Sequence, residues 1–139
     1  MNLTLNEAYC GIEAAILKAK ELKIRIGIAI CDSGGRLISF SRMDGTYWAT
    51  VYGSQGKAMA AAGFGRSTGS MQPDSTIVQG VIKADGNNMI PAQGGLPIIR
   101  DGMLVGACGV AGGTGDQGEE CAQAAIDAII GLAKPADHR

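Results

Sequence analysis

The chain has 139 residues, of which 46% are hydrophobic and only 18% charged, with 22 glycines and a formal net charge of −1. That length suits one domain with a core that needs neither disulfides nor metals. The charge balance excludes the basic footprint of a nucleic-acid binder, and no apolar stretch approaches the ~20 residues of a membrane span.

Thr4 to Lys23 is expected to be a helix. Thr4 and Glu7 have capping-box spacing, and Leu5, Ala8, Ile12, Ala15, Ile16 and Ala19 recur at helical period. Ile24 to Asp32 then alternates at period two, Ser33-Gly34-Gly35 turns, and Arg36 to Met43 continues as a second strand, forming a β-hairpin. Tyr47 to Phe64 reads as a helix, strongest over Lys57 to Ala62. A short helix is expected over Pro73 to Ala84, stopped by Asp85-Gly86-Asn87-Asn88.

Met89 to Ile99 reads as a strand, and Pro91 and Pro97 place it near a sheet edge. Asp101-Gly102 is a two-residue hairpin turn leading into a strand from Met103 to Ala111. After the loop Gly112 to Gly115, a last helix runs from about Asp116 to Leu132, capped by Thr114 with Gln117 or by Asp116 with Glu119 and ended by Pro135. Hairpins imply antiparallel pairing, so the expected architecture is one antiparallel sheet of about five strands with packed helices.

Cys10, Cys31, Cys108 and Cys121 sit in apolar segments without a CxxC, which suits reduced, structural thiols. Together with an N-terminus lacking signal-peptide regions, they lead to the expectation of a cytoplasmic protein. A metal site is not expected, because the sole histidine is His138. The low charge favours a homo-oligomer.

Several residues could carry chemistry. Arg42 and Asp44 end the second strand, Lys57 lies on the following helix, and Arg66 follows that helix. If the helix folds back across the sheet, these cations could converge on an anionic ligand, with Arg offering a fork and Lys a point charge. The alternative is a surface pair of Arg42 with Asp44 or Asp32, plus a solvated Lys57. Acid–base work would fall to Asp32, Asp44, Tyr47 or Lys57. Trp48 and Tyr52 share a helix face, where they could stack on a planar ligand or anchor a subunit contact. Gly94-Gly95 and the Gly112 to Gly115 loop could bring a ligand against backbone N–H groups, or serve turn geometry alone.

The segments Ile30-Cys31-Asp32-Ser33-Gly34-Gly35, Ser41-Arg42-Met43-Asp44-Gly45, Gly56-Lys57-Ala58, Gly94-Gly95-Leu96-Pro97-Ile98 and Val105 to Gly112 resemble the GlcG/HbpS-like family, as does the final helix at Glu119-Glu120-Cys121-Ala122. The resemblance runs in order over nearly the whole chain. It implies a profilin-like sandwich, an oligomer, and a protein that binds or degrades haem or a related tetrapyrrole. Where the resemblance leads one to expect Asp at position 118, this chain has Gly. The cationic residues also fit a second reading, a small catabolic isomerase, hydratase, deaminase or decarboxylase acting on a carboxylated metabolite with Asp44 and Lys57 as catalytic groups.

Overall fold

Thr4 starts the chain's first helix, α1 (Leu5–Glu21), with a complete capping box: its hydroxyl takes the Glu7 N–H, and the Glu7 carboxylate takes the Thr4 N–H. The helix stops where Lys23 turns left-handed at φ 59° and Ile24 bonds back to Ala19. Strands β1 (Gly27–Asp32) and β2 (Leu37–Arg42) form the expected hairpin, and α2 (Ala49–Phe64) follows. A short 3₁₀ turn at Thr68–Ser70 precedes α3 (Thr76–Ala84), which Ser75 caps. Strands β3 (Gly95–Arg100) and β4 (Met103–Ala111) form the second hairpin, and α4 (Gly115–Leu132) closes the fold. Asp101 and Gly102 take φ of 54° and 77°, as their two-residue turn requires. Thr114 and Gln117 cap α4 reciprocally. This computed structural model describes residues 2–132; Pro135 and His138 lie outside the described residues.

The sheet is antiparallel, with strand order β2-β1-β4-β3. Among the described residues it has four strands rather than about five: each of the four segments read as strand forms one, and no further segment joins the sheet. The expected strand from Met89 begins only at Gly95. Ile90 instead donates its N–H to Gly56 of α2, and the segment crosses the outer face of that helix. A Cβ on Gly56 would meet the Ile90 side chain at 2.6 Å, so glycine is needed at the crossing. Pro97 is tolerated because β3 is an edge strand.

The sheet separates two unlike cores. On one face Ile28, Ile30, Cys108 and Val110 meet Ala8, Ile12 and Ala15 of α1 and Cys121, Ala125 and Ile129 of α4. Burying each isoleucine contributes roughly 1.5–3 kcal/mol. On the other face the side chains are small: Ala29, Cys31 and Ala107 face Ala58, Ala61 and Ala62 of α2. That small-residue contact lets α2 lie close to the strands, which fixes the position of everything α2 carries. Among the described residues no helix is long and apolar enough to cross a membrane.

Candidate functional site

Close seating of α2 on the sheet leaves its outward side chains beside the β1–β2 turn. Helical period puts Trp48, Tyr52, Gln55 and Met59 on one stripe of α2. Gln55 and Met59 form one wall of a cleft of about 370 Å³, closed by Cys31, Gly35, Arg36 and Leu37 of the hairpin and by Asp85 and Asn88 after α3. The cleft continues into a space of about 260 Å³ bordered by Ser33, Gly34, Ala62, Gly63 and Met89. Gly35, Arg36, Met59 and Asp85 line both parts. The first part alone falls within the ~300–1,000 Å³ of small-ligand sites.

The mouth of this cleft is built by Asp32. Its Oδ1 accepts the N–H groups of Gly34 and Arg36 at 2.9 and 3.0 Å, and Gly35 completes the turn with φ 80°. Arg36 donates from Nη1 to the Gly34 carbonyl at 3.0 Å, which leaves its other N–H groups at the rim. Arg36 has no carboxylate partner, since the ion pairs among the described residues are Lys18–Glu21, Lys18–Glu120 and Arg100–Glu7. The floor is apolar. Cys31 is buried there, its thiol directed at the Ala58 carbonyl at 3.5 Å, and burial pushes its pKa up to about 12. It is a neutral thiol at physiological pH.

The residues singled out from the sequence fall in several places. Lys57 meets Gly94 and Gly95. Its Nζ donates to the Val110 carbonyl at 3.1 Å, the carbonyl left at the edge of β4 where β3 begins. The ammonium is half-buried without a carboxylate partner among the described residues, and burial lowers its pKa. Gly94 is needed at φ 129°, where a Cβ would meet the Val110 carbonyl at 2.6 Å and Lys57 Nζ at 3.2 Å. Gly95 is needed because α2 passes close over it: a Cβ would meet the Lys57 carbonyl at 2.5 Å. Gly118 lies against the same carbonyl of Val110, at 3.2 Å from the position of a Cβ.

Arg42 and Asp44 are elsewhere. Arg42 pairs with Gly27 at the end of β2 and, with Asp44, lines a shallow surface patch that includes Lys20 and Arg25. Strand β1 lies between Arg42 and the strand whose carbonyl takes Lys57. Arg66 is exposed beyond Gly65, the left-handed end of α2. The expected convergence of Arg42, Lys57 and Arg66 is therefore not formed. Tyr47 and Trp48 are exposed at the start of α2, and Trp48 packs edge-on against Tyr52 with ring centroids 6.1 Å apart. Arg36, Met59 and Met89, which line the cleft, are not among the residues singled out from the sequence. The signal for Met59 was its place on the stripe after Trp48, Tyr52 and Gln55.

The chain is similar to proteins of known sequence and structure over nearly all of its length. It is 30% identical over 134 residues to an uncharacterised 15.0 kDa protein from the dhaT-dhaS intergenic region of Citrobacter freundii, covering 94% of each chain. The crystal structure of Klebsiella pneumoniae protein ORFY matches with a TM-score of 0.83 and 29% identity, over 96% of this chain and 92% of that one. The crystal structure of a PduOC:haem complex matches with a TM-score of 0.82 and 25% identity, over 92% and 95% of the two chains. Residues 3–127 match the family described as haem degrading protein HbpS-like, and the chain belongs to that family.

Proposed function

We propose that this chain binds haem or a closely related tetrapyrrole in the cleft between the β1–β2 turn and α2. The observation that carries the reading is its likeness to PduOC, whose structure is of a haem complex. The chemistry of the cleft agrees. Leu37, Ala58 and Ala62 offer apolar walls to a ring, Met59 and Met89 offer polarisable sulfur, and Arg36 at the rim offers a fork to a propionate. Histidine ligation has no candidate among the described residues, so the donors that fit are sulfur and oxygen. Bound haem would supply an iron centre; the residues here would hold the ring, orient its carboxylates and exclude water from one face. Titration with haemin followed by absorbance tests the reading. Saturation near one equivalent, weakened by Arg36→Ala, is the expected result. A spectrum that remains that of free haemin overturns it.

The same reading takes the protein as a cytoplasmic homo-oligomer, supported by four unpaired thiols and by the exposed Tyr47, Trp48 and Tyr52.

A second reading, an enzyme acting on a small carboxylated metabolite, is favoured by Lys57. A half-buried amine with a lowered pKa and no carboxylate partner among the described residues suits both anion binding and base chemistry. Asp44 does not reach it, so Lys57 would act without that partner. Small carboxylates should then raise the melting temperature of the wild type and not of Lys57→Met. Equal shifts in both proteins, or in neither, would remove this reading.

A further inference from the structure

We infer that Met59 is the axial thioether ligand of a haem iron held in this cleft. The inference rests on the haem-binding reading above and goes beyond it by naming the atom that meets the metal.

The sulfur and carboxylate donors of the cleft walls are Cys31, Met59, Met89 and Asp85; the neutral oxygens of Ser33, Gln55 and Asn88 are weaker ligands for a haem iron. Cys31 is buried and points its thiol at the Ala58 carbonyl, so it is not presented to the cavity as a thiolate. Met89 is committed to α2: its Cε and Sδ lie 3.3 and 3.5 Å from where a Cβ on Gly63 would be. Asp85 is exposed, where water competes for its carboxylate. Met59 differs from all three. It lines both parts of the cleft, it is only partly buried, and it stands on the outward stripe of α2. Its unbranched side chain has three rotatable bonds with which to place Sδ over a ring. Being uncharged, it costs little to desolvate. The backbone beneath it is fixed, because Ala58 and Ala61 hold α2 against the small-residue face of the sheet. Thioether ligation favours the reduced iron and raises the reduction potential.

The test is a haemin titration of the full chain, read by ferric and ferrous absorbance and by potentiometry. With imidazole added as the second axial ligand, which the described residues do not supply, the wild-type complex should be low-spin and show the weak far-red sulfur-to-iron charge-transfer band of a ferric thioether haem. Met59→Leu, which keeps the volume, should still take up haemin but lose that band and become high-spin. Met59→His should return to low spin without the band and at a lower potential. Met89→Leu should keep the wild-type spectrum. The inference is overturned if Met59→Leu binds haemin with an unchanged spectrum, or if the band disappears in Met89→Leu instead. Those outcomes leave the binding reading intact. Failure of the wild type to take up haemin defeats the binding reading, and the ligand assignment with it.

Discussion

Glu7 and Arg100 lie 93 positions apart in sequence, yet their side chains meet at 2.6 Å. The same carboxylate accepts the Thr4 N–H through its other oxygen at 2.9 Å. One side chain thus caps α1 and ties it to the end of β3. Burial alone would raise the Glu7 pKa, but the Thr4 N–H, the Arg100 guanidinium and the Thr4 hydroxyl together hold it below the ordinary 4.5. A depressed carboxylate contributes stability that is present above its unfolded pKa and lost as pH falls through the folded one. Glu7→Ala should cost about 1–3 kcal/mol near neutral pH, since it removes a cap and a largely buried ion pair. Urea unfolding of wild type and variant should show the gap narrowing below about pH 4.5. A gap that is constant down to acid pH would mean that neither the Thr4 cap nor Arg100 favours the charged carboxylate.

Two glycines should respond in opposite directions to alanine. Gly109 of β4 lies under α2, and an added Cβ would meet the Ser54 carbonyl and, at 2.5 Å, the Ala58 nitrogen. Both are backbone atoms of a helix that cannot give way locally. Gly109→Ala should therefore cost roughly 1–3 kcal/mol, or more if α2 shifts. Gly80 lies within α3, and nothing would come within 4 Å of its Cβ. Gly80→Ala should stabilise by about 0.5–1 kcal/mol, because alanine has less freedom to lose on entering a helix. Thermal melts of the two variants check both signs.

Local chemistry made most elements legible in the sequence. The Thr4–Glu7 box, the Asp101-Gly102 turn and the Thr114–Gln117 box are complete in short windows, and each stands where its spacing placed it. The failures are non-local. Apolar residues from Met89 onward look like strand, but Ile90 is spent on crossing Gly56, a contact that no window around Ile90 reveals. The candidate site was less legible for the same reason. Arg42 and Lys57 are close in sequence, but the strand order inserts β1 between their surroundings. In the sequence Arg36 is only the first residue of a strand. It becomes a candidate once the Asp32 turn is seen to face Met59 across a cleft.

The thiols should divide by burial. Cys31, Cys108 and Cys121 are at most 1% exposed, whereas Cys10 is partly accessible. Burial raises the Cys31 pKa to about 12 and that of Cys121 to about 11, and raises Cys108 as well. The thiolate is the reactive species, so these three should label slowly in the native state. A disulfide exchange assay should give one fast thiol and three that appear only on unfolding. Replacing Cys10 by Ser should abolish the fast phase. Four fast thiols would mean that the two cores open readily under native conditions.

Trp48 offers a direct reading of assembly, because it is the chain's sole tryptophan. In an isolated protomer it is 70% exposed, beside Tyr47 at 82% and Tyr52 at 69%. Three large aromatic side chains left in water on one helix start form the kind of patch that subunit contacts cover. The segment crossing at Gly56 packs on the middle of α2, and the described residues leave these rings exposed. If copies associate through this patch, Trp48 emission should be blue-shifted at micromolar concentration. It should move red on dilution, in step with a fall in the mass measured by light scattering towards 14.2 kDa. Trp48→Ala should lower that mass at the starting concentration while leaving the far-ultraviolet circular dichroism unchanged. A concentration-independent, red emission together with a mass of one chain would show that the aromatic start of α2 stays in water.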